Sequence, residues 1–217
     1  MTRTRSTRGA LTGVGLALLL TGTACSSDDG GSTASTSSSS ATATASTAPD
    51  TTAVGVGCAQ LPADPAAPGS LAAMAAQPVA AAAATNQLLT TLTSVLGQAN
   101  LTDALNAQTD VTVLAPANAA FDAVPADQLN ALLADLPRLT TVLQHHVISG
   151  RLAPDQLVGD HTTLLGDTVT VGGTADALTL SADQTVLGAA DATVLCGNVQ
   201  TANATVYIID QVLSPEA

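Results

Sequence analysis

His145 and His146 stand side by side in LTTVLQHHVISGRL, residues 139–152, and account for two of the chain's three histidines. Imidazoles hold metals and carry protons, so the pair raises the question of a metal centre or a general base. Metal-binding histidines on a helix sit four residues apart on one face, as in HExxH. Adjacent residues are about 100° apart round a helix. The two rings therefore diverge and do not share an ion. His146 falls seven residues after Leu139, on the apolar stripe with Val142, Leu143 and Val147, so it is expected to point inward as a satisfied core histidine. His145 is expected at the surface. His161, with Asp160 beside it, lies in another segment. No GxSxG elbow, paired carboxylates or metal-ligand spacing is present. The sequence thus assigns no catalytic residue, metal or cofactor.

Three cysteines remain for covalent chemistry: Cys25, Cys58 and Cys196. Residues 1–24 combine a basic start (Arg3, Arg5, Arg8), an apolar run from Leu11 to Leu20, and small residues before Cys25. That run is too short to span a bilayer, so the segment reads as an export signal. Gly22-Thr23-Ala24-Cys25 resembles a bacterial lipobox, with Gly22 where Leu is usual. Acylation of Cys25 is the favoured reading, and ordinary signal cleavage at the same bond is the alternative. Export leads to an oxidising compartment, where Cys58 and Cys196 either pair or stay as buried thiols. No CxxC or nearby histidine makes either a zinc ligand.

The composition narrows the function classes further. Phe121 and Tyr207 are the only aromatic residues besides histidine, and there is no Trp. Base-stacking platforms and aromatic cages are excluded. There is no Lys. Without residues 1–24 the cations are Arg138 and Arg151 against 17 acidic residues, a net charge of −15. Such a body does not bind nucleic acid, which needs clustered cations, and it lacks the Lys of a P-loop.

Residues 25–57 are expected to be the lipidated cysteine and a disordered Ser/Thr/Ala-rich tether, because they have almost no large apolar side chain to bury. As a coil the tether reaches about 30 Å. It is a flexible spacer, with Thr42, Thr44, Thr47, Thr51 and Thr52 as candidate O-glycosylation positions.

Residues 58–217 form the folded part, where helices precede strands, as in an α+β domain. Leu88, Leu89, Leu92, Val95 and Leu96 make a helical stripe with Asn86 as cap and Gly97 as stop. Residues 78–84 form an alanine-rich helix. DVTVLA (110–115) is a buried strand ended by Pro116, after which Asn118 caps a short helix through Phe121. Pro125 and Asp127 open a helix with Leu129, Leu132, Leu133 and Leu136 on one face. Pro137 suits the first turn of the next helix. Strands are expected at 162–165, 168–171, 177–181, 185–188, 192–195 and 204–213.

Three ordered segments resemble a fasciclin (FAS1) domain over about residues 60–217. VTVLAPANAAFDAVP (111–125) resembles the family's first signature, TVFAPTNxAF. LTTVLQHHVISGRL resembles the segment around its tyrosine-histidine pair. TANATVYIIDQVLSPEA (201–217) resembles its closing signature, IDxVLxP. The matching positions are Asn118, Phe121, His146 and Asp210. GCAQLPADP and VLCGNVQTANATVYIIDQVLSP are also similar to the secreted fasciclin-type antigens of mycobacteria and their lipid-anchored, glycosylated relatives. This resemblance implies an actinobacterial source and a Cys58–Cys196 disulfide. It implies helices packed on a β-sandwich or wedge. Ala117 stands where the family usually has Thr, which removes a turn hydrogen bond. His145 stands where it has Tyr, so the adhesive role of that tyrosine region in animal domains is not carried over.

The implied function is a non-enzymatic cell-surface lipoprotein, anchored on the outer face of the membrane, with secretion as the additional route. It would act as a monomer in adhesion, on a matrix or envelope protein or glycan. The alternative is an envelope carrier of a small apolar ligand, which needs a cavity of several hundred Å3, in the range of ligand pockets.

Overall fold

The computed structural model describes residues 52–215. The export signal, Cys25, the tether up to residue 51, and Thr42, Thr44, Thr47 and Thr51 lie outside them; residues 52–57, expected in the disordered tether, are instead joined to the domain, with Val54 bridging Gly197.

Seven helices, α1 (Leu71–Ala75), α2 (Val79–Thr85), α3 (Thr90–Gln98), α4 (Thr102–Ala107), α5 (Asn118–Ala123), α6 (Ala126–Ala134) and α7 (Leu136–His145), accompany seven strands among the described residues. The strands are β1 (Val111–Pro116), β2 (Val147–Ser149), β3 (Gly159–Thr162), β4 (Thr168–Thr174), β5 (Ala177–Leu180), β6 (Ala192–Gln200) and β7 (Ala204–Ile209). They form a single sheet in the order β2-β1-β7-β6-β5-β4-β3. Only β1 and β7 run parallel, with Val113 opposite Val206 and Ala115 opposite Ile208. The sheet curls until its two edges meet. Ile148 bridges Thr163, and the Leu164 N–H donates to the Val147 carbonyl at 2.7 Å.

Every residue of β1 and β7 is buried, as expected of parallel strands covered on both faces. Side-chain alternation splits the core in two. Val111, Val113 and Ala115 of β1, with Ala204, Val206 and Ile208 of β7, face the helices. Leu114, Tyr207 and Ile209 point into the curl, where they meet Ile148, Leu157, Val169 and Leu180. With so few aromatics, the helix side is filled by Leu, Val and Ala, and α2 lies close because Ala80, Ala82 and Ala83 are small and buried. Gly197 is a site of close approach: a Cβ there would come within 2.7 Å of the Tyr207 ring.

Several elements differ from expectation. The chain turns after α3 at Asn100, not Gly97. Asn100 has a φ of 53°, and the Leu101 N–H returns to the Leu96 carbonyl at 3.1 Å, a Schellman closure. Gly97 lies inside the helix. The helix carrying the two histidines stops at His145, and Val147, expected on its stripe, begins β2. The third strand spans Gly159–Thr162, while 163–167 form the hairpin tip. Residues 185–188 are no strand, because a short 3-10 turn at Ala182–Gln184 leaves only a single bridge from Thr185 to Leu213. The sixth strand runs on to Gln200, its register shifting between Val194, Cys196 and Val199. The last strand stops at Ile209.

Candidate functional site

His146 sits at the C-cap of α7 and is 3 % exposed. Its Nδ1 donates to the Val142 carbonyl at 2.7 Å, and its Nε2 accepts from the Leu213 N–H at 3.0 Å. Because the backbone N–H must donate, the ring is the neutral Nδ1–H tautomer. Burial pushes its pKa from 6.5 down to about 4; the bond to Val142 works against that shift, and His145 nearby adds slightly to it. Both nitrogens are used, so His146 staples α7 to the C-terminal segment and has no lone pair left for a metal.

His145 is also buried, at 2 % exposure. The expected surface position is overturned because the β3–β4 hairpin tip folds back over that side of α7. His145 Nδ1 lies 2.6 Å from Asp167 Oδ2. The other carboxylate oxygen of Asp167 accepts from the Thr163 hydroxyl, and the Thr163 N–H donates to the Asp167 carbonyl at 2.9 Å. An aspartate on Nδ1 is the orienting half of a hydrolytic triad. The other half is missing: Nε2 is buried with no hydrogen-bond partner, so no hydroxyl is poised there to be activated. The arrangement holds a hairpin. The two imidazoles meet edge to face, centroids 6.3 Å apart and planes at 86°, and their bonds lead to different elements.

His161 is spent locally, donating from Nε2 to the Leu157 carbonyl at 2.9 Å. Its neighbour Asp160 accepts from the Thr170 hydroxyl at 2.7 Å. Among the described residues no three His, Cys, Asp or Glu side chains gather where they could hold an ion.

The other positions singled out in the sequence are also tied into the scaffold. Asn118 does not cap its own helix. The N-cap of α5 is Ala117, which offers no side-chain acceptor. Asn118 instead reaches the start of α3: Oδ1 accepts from the Thr91 N–H at 3.0 Å, and Nδ2 donates to the Gln87 carbonyl at 2.8 Å. Asn86 caps the turn before α3 by accepting from the Leu88 N–H at 2.9 Å. Phe121 is buried on the helix side. Asp210 accepts from both the backbone N–H and the hydroxyl of Thr193, each at 2.6 Å, and locks the end of β7 to the start of β6. Cys58 and Cys196 are joined by a disulfide with Cα atoms 4.8 Å apart.

Sequence reasoning missed four residues. Asn203, in the β6–β7 turn, accepts from the Val79 N–H at 2.8 Å and donates to the Leu105 and Gln108 carbonyls at 3.1 and 2.9 Å. Arg151 donates to the Thr201 carbonyl and to that of Ala204, the latter at 2.7 Å. Asp167 and Thr163 make the latch on His145. Asn203, Arg151 and Asp167 act on elements far away in sequence, which no local pattern reports.

Cavities lie on either side of the helix layer's contacts with the rest of the domain. One of about 100 Å3 lies between the helices and the sheet beside His146. Another of about 320 Å3 lies under α6.

The sequence model of the Fasciclin domain family matches residues 87–215. The chain belongs to the fasciclin family. The fasciclin domain here is 45 % identical over 175 residues to the cell surface glycolipoprotein MPB83 of Mycobacterium bovis, covering 78 % of this chain and 75 % of that one. It is 44 % identical over 170 residues to the immunogenic protein MPT70 of Mycobacterium tuberculosis, covering 76 % and 83 %. A more distant relative, protein sll1483 of Synechocystis, is 33 % identical over 137 residues, 61 % of this chain and 71 % of that one. Among solved structures, a FAS1 domain pair from the insect cell adhesion molecule Fasciclin I matches with a TM-score of 0.45 at 26 % identity, over 58 % of this chain and 45 % of that one. The fasciclin signatures at 111–125, 139–152 and 201–217 map onto β1–α5, the end of α7 with β2, and β7 with the C-terminal segment.

Proposed function

We propose that this fasciclin domain is a non-enzymatic module displayed on the outer face of the cell membrane, lipid-anchored through Cys25, where it mediates adhesion to an envelope or matrix component. One observation supports the non-enzymatic part: the acid–base side chains read from the sequence are bonded within the scaffold or covered by it. His146 has both nitrogens bonded to backbone, and the Asp167–His145 pair ends in a covered Nε2. Binding therefore falls to the exposed surface. A body with net charge −15 stays soluble and resists nonspecific contact, so its partner must offer cations or a specific shape. The surface placement is supported by the lipobox-like Gly22-Thr23-Ala24-Cys25 and by a relative named as a cell surface glycolipoprotein.

The test has two parts. Membrane fractionation of cells producing the chain and its Cys25→Ser variant should move the variant from the membrane to the medium. Equal membrane retention sinks the anchor. Binding of the folded chain to arrays of matrix proteins and envelope glycans, at physiological salt, should give a saturable partner. Turnover of an ester, glycoside or peptide substrate lost in His145→Ala would instead establish an enzyme.

A further inference from the structure

Helix α6 has no fully buried residue, although Leu129, Leu132 and Leu133 make an apolar face. It packs chiefly on α7, held between Pro125 and Asp135. Beneath it lies the larger cavity, about 320 Å3. Its floor is apolar, made by Phe121, Val124, Val142 and Val212, and Leu129 and Ala131 face it from α6. That volume sits at the lower end of small-molecule pockets, roughly 300–1,000 Å3. The cavity beside His146 falls well short of that range.

The polar part of the lining includes Arg138, one of only two cations in the chain after residue 24. Arg151 is consumed by two carbonyls. Arg138 is not consumed. The sole ion pair within 4.0 Å among the described residues is His145–Asp167, so none of the described carboxylates pairs with the Arg138 guanidinium. Asp135, three residues away, turns its carboxylate to the Arg138 backbone N–H at 3.1 Å. A space with an apolar floor, and with Gln128, Ser214 and the exposed Arg138 in its lining, has the complementarity of an amphiphile with one apolar chain and one anionic end.

We propose that the space under α6 binds a single-chain carboxylate amphiphile, a fatty acid being the simplest. The chain lies on Phe121, Val124, Val142 and Val212, and the carboxylate meets Arg138. Of the two cations after residue 24, Arg151 is bonded to two carbonyls, so Arg138 is the one left to orient a carboxylate. The site is independent of the surface role proposed above.

The test is calorimetry and amide-shift mapping on the full, disulfide-bonded chain, with decanoate and decanol as probes below their aggregation limits. Decanoate should bind once per chain and shift amides of α6, α7 and the segment near Val212. Arg138→Gln should weaken decanoate roughly fivefold, the size of a partly exposed charge-assisted contact, and leave decanol unchanged. Ala131→Phe, which adds a ring at the α6 rim of the space, should abolish binding of both. No decanoate binding to the folded wild-type chain overturns the proposal. So does equal decanoate affinity in Arg138→Gln, or wild-type binding in Ala131→Phe.

Discussion

His146 has its largest effect on the fold when it is neutral. Its pKa is about 4 in the fold against 6.5 in the open chain, so between those values the unfolded state takes up the proton first. Its contribution is complete above pH 6.5 and is lost as the pH falls toward 4, up to about 3 kcal/mol in all. Urea unfolding at pH 7 and pH 4.5 should show a steeper loss for the wild type than for His146→Gln, by roughly 2 kcal/mol. Equal slopes would mean the ring is not shielded as described. His146 was legible because it shares a stripe with Leu139, Val142 and Leu143, and periodicity reports burial wherever the helix continues. His145 was not. Its cover comes from Asp167, 22 positions onward, and helical geometry carries no information about a hairpin that returns from outside the helix.

Elements with strong internal pattern were read well: the stripe of α3, the β-branched run of β1, and the alanine-rich α2. Boundaries set by distant partners were not. Val147 to Ser149 left the helix because β1 offers them an edge. Asn118 serves α3 across the helix layer because the side chain is drawn to the free N–H groups there. Asn118→Ala should therefore loosen the start of α3 and cost about 1–2 kcal/mol in chemical denaturation. Amide exchange should rise at Leu92 and Thr93 before it rises in α5; the opposite order would restore the self-capping assignment. Asn203→Ala removes bonds to the start of α2 and the end of α4 together, and should cost about 2–3 kcal/mol. A loss below 0.5 kcal/mol in the same measurement would mean those helix ends are satisfied by solvent instead.

At the level of the molecule, the order of helices before strands and the family signatures foretold an α+β fasciclin domain. The curl of the sheet was invisible because it arises from strands far apart in sequence closing on each other, and the chamber under α6 because α5, α6 and α7 meet loop residues Val186 and Val212 there. The disulfide joins residues 138 apart. Cys58→Ser with Cys196→Ser, or reduction of the native chain, should lower stability by about 2–5 kcal/mol, read as a fall in the thermal midpoint. An unchanged midpoint would show that hydrophobic packing alone holds residues 52–61 in place.

That bridge also sets a mechanical path. Cys58 is welded to the middle of β6, Val54 pairs with Gly197, and the Thr52 carbonyl accepts from Asn198 Nδ2 at 3.1 Å. A pull arriving from the N-terminal side is therefore delivered to β6, a strand hydrogen-bonded on both sides, and the helices from α1 onward carry none of it. Reduction would remove the covalent route and leave the tether's load on the Val54–Gly197 bridge and the Asn198 bond alone.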